Sequence, residues 1–370
     1  MGWMKWTNTR REFLKTSVLG GAAAALGAKL PFGGQARAAT LEGPVNVLSW
    51  GSRNFQMQID DFLKDTGCHV NFTGASGNSE NLAKIKLGGG DQYDIVGVDA
   101  LWVPKFYQEG VIEVFDFEKM PEYQDLFDEF KKMTVWKVGN QWMAQPWAWS
   151  PLVLWYNAEQ IKTPPTSINF LFDPALKQRI ALTRQQEDVV AWMGIAVGAK
   201  NPYAMTDEEL AKAKEALKRL MPNVLKFPPQ EEELVRLAAD GSIWVTALSA
   251  GGAIRIKDAG GPTMKGFIPP EGVIGYFDGD CIVKGAKHRD AALAWLAHRV
   301  HAKYVLPNVE KYKRPLAYKG PLEILKKEGK GDFAHTIFYD QPEILSKMVI
   351  IGPPPNVGAY LDVFNEVVGG

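Results

Sequence analysis

Apolar and polar positions follow two periods along the chain, and the periods take turns. Val45 to Ser49 is an apolar run of strand length, after which Phe55 to Lys64 places Ile59, Phe62 and Leu63 on one helical face until Gly67 stops it. His69 to Thr73 alternates at period two, Ser79 to Leu87 returns to the helical period, and Tyr93 to Val98 is a continuous apolar strand. Gly88-Gly89-Gly90 reads as a helix stop and loop between the last two. Strand, helix, strand, helix, strand predicts an α/β fold with a mainly parallel sheet covered by helices, whose ligand sites open at the carboxyl ends of the strands.

A second block begins with the strand-like Leu152 to Asn157. Thr206-Asp207-Glu208-Glu209 has capping-box spacing and opens a helix to about Leu220. Glu231 to Ala239 is another amphipathic helix and Ile243 to Leu248 a buried strand. After the apolar strand Asp280 to Val283, a long helix is expected from Arg289 to Val305, and Pro307, Pro315 and Pro321 break the next stretch into turns. Two such blocks in 370 residues imply two lobes of ordinary domain size.

The amino terminus has a different pattern. Thr9-Arg10-Arg11-Glu12-Phe13-Leu14-Lys15 is followed by an uncharged, Ala-rich run from Thr16 to Ala28 and by Ala36-Arg37-Ala38. A basic head with paired arginines, a short apolar segment and small residues at the cleavage point predict a cleaved twin-arginine export signal over residues 1–38. The apolar run is shorter than the roughly 20 residues a membrane span needs. The expected product is a soluble monomer in a bacterial periplasm, delivered by the twin-arginine export machinery. Without the signal, 42 basic and 42 acidic residues become 36 and 41. A net charge near minus five disfavours nucleic acid or an anionic membrane as partner. Cys68 and Cys281, each in an apolar context, read as buried small hydrophobes.

No catalytic set emerges from the sequence. Of five histidines only His298 and His301 share helical spacing, and with no third ligand they are expected on a solvated helix face. Ser249 in Ala-Leu-Ser-Ala-Gly lacks the first glycine of a nucleophile elbow. No metal or cofactor is implied. Aromatic residues say more. Trp50 ends the first strand, where such a sheet opens its crevice, and Tyr276 and Asp278 share one face of a strand. An aromatic face and a carboxylate together suit an ammonium group. Trp147 and Trp149 flank the passage between lobes, whereas Trp102, Trp192, Trp244 and Trp295 are expected in the core.

The chain resembles the periplasmic spermidine/putrescine-binding proteins of bacterial ABC importers, within family 1 of extracellular solute-binding proteins. The resemblance rests on Asn46-Val47-Leu48-Ser49-Trp50, Phe62-Leu63-Lys64-Asp65-Thr66-Gly67, Ala83-Lys84-Ile85-Lys86 with Tyr93-Asp94-Ile95-Val96, Leu220-Met221-Pro222-Asn223-Val224 and Tyr276-Phe277-Asp278. It implies a two-lobe, type II-like periplasmic binding protein fold. Lobe 1 would take residues 43–150 and 277–320, and lobe 2 residues 151–276 and 321–370. The implied function is capture of a polyamine by lobe closure and its delivery to an inner-membrane ABC permease, without catalysis.

By the same resemblance Trp50 stacks on the ligand, Tyr276 and Asp278 hold an ammonium, and Tyr312 is the tyrosine of a Pro-containing loop. Asp188 would be the remaining acid of a second-lobe pair whose other member is Gln185. Ser249 stands where a stacking tryptophan is expected, and Ser52 and Arg53 where an acid is expected. Asp99 compensates for that acid or caps a loop. Arg53 receives a carboxylate or phosphonate, or is a solvated loop residue. A zwitterionic amine is therefore the alternative ligand, with ferric iron or an exported enzyme further off.

Overall fold

Val45, Val47 and Leu48 are fully buried because the first strand runs through the middle of a sheet with helices on either side. Each such side chain contributes about 1.5 to 3 kcal/mol on leaving water. The computed structural model describes residues 41–75, 77–183, 186–228, 230–352 and 354–369. The expected export segment, residues 1–38, lies outside them, as do Arg184 and Gln185.

The first block comprises β1 (Val45–Trp50), α1 (Gln56–Thr66), β2 (Val70–Ala75), α2 (Asn78–Gln92), β3 (Ile95–Asp99), β4 (Ile112–Glu113) and β5 (Gln145–Pro151). Gly67 ends α1 at φ 75°, a left-handed position, with its N–H donating to Leu63 O at 2.8 Å. The second block runs β6 (Val153–Asn157), β7 (Ile180–Ala181), α3 (Gln186–Ala196), α4 (Asp207–Leu220), β8 (Val224–Lys226), α5 (Glu231–Ala239), β9 (Val245–Leu248), α6 (Gly252–Asp258) and β10 (Met264–Phe267). The capping box at Thr206 and Glu209 forms at the start of α4. The chain then returns through β11 (Val273–Val283), α7 (Arg289–Val300), α8 (Ala302–Tyr312), α9 (Lys319–Lys327), α10 (Gly331–Thr336), β12 (Met348–Ile350) and α11 (Val357–Val368).

A seven-stranded sheet has the order β12-β11-β3-β1-β2, with β4 and β5 also on β11; a five-stranded sheet has the order β8-β7-β9-β6-β10. Both are mixed, where a mainly parallel arrangement was expected. The reason is β11, which comes back from the second lobe and so meets β3, β4 and β5 antiparallel. In the second sheet β6 runs antiparallel to β9 and β10.

Three stretches join the lobes: Pro151-Leu152 between β5 and β6, the start of β11, and β12. They lie side by side, with Leu152 N–H donating to Ile274 O and Ile351 N–H to Gly275 O, both at 2.8 Å. Gly275 is the close approach, since a Cβ there would stand 2.8 Å from Ser150 O and 2.0 Å from Met348 Cε. The first lobe's core extends beyond the expected boundary at residue 320, taking in Leu322, Leu325, Ala334, Ile337, Tyr339 and Leu345. The chain returns to the second core through Val349 and Ile351 and then the closing helix α11, with Tyr360, Val363 and Phe364.

Several local expectations change for packing reasons. The helix expected from Arg289 to Val305 breaks at His301, whose ψ of 124° is extended, and restarts as α8 with Pro307 inside it. Pro321 lies in the first turn of α9, where its missing N–H has no helical partner to lose. The helical conformation of α2 is interrupted within Gly88 to Gly90, at Gly89 (φ 54°, ψ −155°), where the run was expected to stop it, and a further turn then carries the chain to Gln92. A Cβ on Gly90 would stand 2.2 Å from Gly285 O, so the kink allows a close backbone approach. His298 is fully buried rather than solvated, stacked between Trp295 and Tyr304 with ring centroids 6.0 and 4.1 Å away. Burial lowers its pKa to about 4, so it is neutral there. Cys68 and Cys281 are buried free thiols.

Candidate ligand-binding cleft

The carboxyl ends of β1 and β3 and the middle of β11 converge on a cleft of about 660 Å³ between the lobes, a volume suited to a small molecule. Trp50 and Asp99 stand at those two strand ends, Tyr276 and Asp278 on β11, and Tyr312 at the end of α8. Leu152 and Ile351, from two of the crossovers, reach the cleft as well. Asp99 and Asp278 are direct neighbours across the antiparallel β3–β11 register.

The first-lobe wall is organised around Arg53. It ends the short turn Gly51–Arg53 after β1, of which Ser52 supplies the middle of the backbone. Its Nη2 lies 3.0 Å from Asp278 Oδ2, and its Nη1 lies 2.9 Å from Asp280 Oδ1 while donating to Gly279 O at 3.2 Å. The guanidinium packs over the rings of Trp50 and Trp147, at 4.6 and 4.7 Å. Burial pushes the Arg53 pKa down, but Asp278 and Asp280 outweigh it and hold the group above its ordinary value. Gly97 makes room for it, since a Cβ there would stand 2.5 Å from Arg53 Nη1.

Two more arginines share Trp147. Arg299 of α7 packs over the indole at 4.3 Å and pairs through Nε with Asp280 Oδ2 at 2.8 Å. Arg314, buried at the cleft wall, packs over the same ring at 4.4 Å. Burial lowers the Arg299 pKa to about 10, with Arg53 and Arg314 adding to the effect.

Asp99 is placed differently. Asn78, at the start of α2, donates to its Oδ2 at 2.6 Å and accepts from its backbone N–H at 3.0 Å. Among the described residues no cation lies within ion-pair distance of it. Burial, followed by neighbouring Asp278, raises its pKa well above the carboxylate range. The backbone segment Gly77-Asn78-Ser79 thus presents a carboxylate partner through Asn78.

The second-lobe wall is more open. Ser249 follows β9, Glu231 begins α5 and Arg255 lies on α6. Arg255 Nη1 lies 2.5 Å from Glu231 Oε2 and 3.5 Å from Ser249 Oγ, with the two charged side chains about a quarter exposed (24% and 30%). Tyr276 lies between the walls, and burial raises the pKa of its phenol, leaving it a neutral hydrogen-bonding group.

The cleft therefore brings together Trp50, Arg53, Asp99, Ser249, Tyr276, Asp278 and Tyr312. Asp188 is excluded. It lies in the first turn of α3 with its carboxyl turned into the second lobe, where it accepts from Tyr203 Oη, and burial raises its pKa to about 7. The roles of two others change. Arg53 is not a solvated loop residue: it is buried, Nη1 bonds Asp280 and Gly279 O, and Nη2 forms an ion pair with Asp278, so its charge is already balanced inside the first lobe. Asp278 in turn is already paired.

Sequence reasoning missed Glu231, Arg255, Lys311 and Arg314, which also line the cleft. The only signals were the Glu231-Glu232-Glu233 run at a helix start and the cations around Tyr312. Among the described residues no cluster of three or more His, Cys, Asp or Glu suits a metal ion, and no helix is long and apolar enough to cross a membrane.

Two α/β lobes linked by adjacent crossovers, with an aromatic and charged cleft at the seam, define the class of two-lobe binding proteins. Residues 58–315 match the bacterial extracellular solute-binding protein family, and the chain belongs to that family. It is 26% identical over 236 residues to the spermidine/putrescine-binding periplasmic protein of Salmonella typhimurium, covering 64% of this chain and 66% of that one, just under two thirds of the relative's length. It is 23% identical over 268 residues to the putrescine-binding periplasmic protein PotF of Escherichia coli, covering 68% and 72%. Among solved structures it is similar to the spermidine/putrescine substrate-binding protein PotD of Streptococcus pneumoniae, with a TM-score of 0.76, 21% identity and coverage of 88% and 98%. That last likeness concerns the fold.

Proposed function

We propose that the protein is the periplasmic solute-binding component of an ABC importer. It captures an amine-bearing solute by closing its lobes and delivers it to an inner-membrane permease. Polyamines, the solutes named for its relatives from Salmonella typhimurium and Escherichia coli, are the first to consider. Export by the twin-arginine route before cleavage near Ala39 belongs to the same reading.

The observation that carries it is the Asp99 carboxyl, which faces the cleft beside Asp278 with no cation partner among the described residues. A part-buried carboxyl that hydrogen-bonds Asn78 and the neighbouring acid Asp278, with no cation in ion-pair contact, is held toward its protonated form. A ligand ammonium on Asp99, bordered by Trp50 and Tyr276, replaces that proton with a charge-assisted hydrogen bond and aromatic contacts. The three crossovers beneath provide the hinge.

Isothermal titration of the purified protein, freed of carried-over ligand by unfolding and dialysis, tests the reading with spermidine and putrescine. One-to-one binding that Asp99→Asn weakens at least tenfold is the expected result. Binding that ignores this substitution would remove Asp99 from the site.

A further inference from the structure

The charges on the cleft wall do not suit an amine at both ends. Four acids line it, and three are committed or compromised: Asp278 to Arg53, Glu231 to Arg255 at 2.5 Å, and Glu232 to the same Arg255 at 3.9 Å with its side chain 81% exposed. Among the described residues, Asp99 alone of the four has no cation within ion-pair distance, Arg53 acting on it only from farther off. Four bases line the same cleft, and Lys311 is the counterpart of Asp99. Its ammonium has no carboxylate within ion-pair distance among the described residues and lies over the rings of Phe55 and Tyr312 at 5.5 and 5.3 Å. Arg314 is three positions farther along, buried at the same wall and 5.2 Å over Tyr312. An acid and a base without ion-pair partners thus face one small cavity, with a second cation beside the base.

Resting on the amine reading above, we propose that the cleft takes a zwitterion, an organic amine carrying a carboxylate or similar anion. Its ammonium is held by Asp99, and its anion by Lys311, with Arg255 reaching it on lobe closure. The physical ground is complementarity. A diamine would set its second ammonium among like charges in a partly desolvated cleft, whereas an anion there completes ion pairs, and guanidinium groups match a carboxylate with two parallel donors. The anion-binding role expected of Arg53 therefore passes to Lys311 at the end of α8, because Arg53 is locked between its own aspartates.

Putrescine and 5-aminopentanoate share an amine and four methylenes and differ in whether the far end is an ammonium or a carboxylate, so the pair isolates that end. Titration calorimetry should show 5-aminopentanoate binding at least tenfold more tightly than putrescine. Lys311→Gln should erase that preference by weakening only the zwitterion, and Lys311→Glu should improve putrescine. Putrescine binding more tightly than 5-aminopentanoate, or a preference that survives both substitutions, would overturn the zwitterion proposal while leaving the amine reading in place. Absence of binding by either compound would sink the amine reading, and this inference with it.

Discussion

The two lobes treat charge in opposite ways. In the first, Arg53, Asp278, Asp280 and Arg299 are all nearly inaccessible and are locked in ion pairs around Trp147. In the second, the cleft-facing pair Glu231–Arg255 is part-exposed, and Asp188, the one deeply buried acid among the lobe's described residues, lies in the interior against Tyr203. A buried network is rigid because breaking any pair leaves an unsatisfied charge, while an exposed pair exchanges partners at little cost. On the proposed reading, the difference makes the first lobe a preformed receptor surface and the second an adjustable wall that would follow the ligand as the lobes close.

The most damaging way to break this contrast is to remove the centre of the buried network. Arg53→Met should destabilise the protein by about 3 to 5 kcal/mol, read by urea unfolding, because Asp278 and Asp280 are left without their shared partner. The same logic makes Asp278→Asn a stability variant as well as a binding one. A loss below about 1 kcal/mol in Arg53→Met would mean that the network is not a rigid element.

Next comes the buried acid of the second lobe. With a pKa of about 7 when folded, Asp188 keeps a proton that the unfolded chain releases near pH 4. Its stabilising contribution is full below about pH 4 and is lost as the pH rises through about 7. Asp188→Asn should therefore flatten the decline in thermal stability between pH 5 and pH 8 and leave ligand affinity unchanged. An affinity loss at constant stability would return Asp188 to the binding site.

Smaller effects are expected at the cleft surface. Trp50→Ala should weaken ligand binding by roughly 1 to 3 kcal/mol in calorimetry, through lost stacking and apolar contact. It also uncovers one face of Arg53, so a modest fall in melting temperature should accompany it. Arg255→Gln should change stability by less than about 1 kcal/mol, as befits a part-exposed pair. A larger stability loss there would show that the second wall is as fixed as the first.

Legibility in the sequence followed the range of the interactions. The strand and helix order through Val98 was readable, because apolar periodicity and the stop at Gly67 act within a few residues. Trp50, Tyr276 and Asp278 were placed at the cleft by the same means, since the carboxyl end of a strand and a two-residue repeat are local facts. His298 misled because α1 and Tyr304, as well as Trp295 of its own helix, cover it: its Nε2 is 3.2 Å from Gln58 O. Asp188 was expected at the site by the resemblance alone, and nothing in the sequence around it tells whether such an acid faces a cleft or a core. The break at His301 and the extension of the first lobe to Leu345 likewise depend on what packs against them.

By itself, then, the sequence determined the alternating α/β pattern, the two-block organisation and the aromatic and acidic residues brought to the strand ends. Tertiary structure alone decided which charges along the cleft are paired within the protein and which, on the proposed reading, are left for a ligand. Arg53 lies 225 residues from Asp278 in the chain and Lys311 lies 212 from Asp99, yet each is neutralised or left available only by where the fold puts its neighbours. Ion pairing extends over a few ångströms in space and is indifferent to sequence distance, so the identity of the available acid and base emerges only when the lobes are assembled.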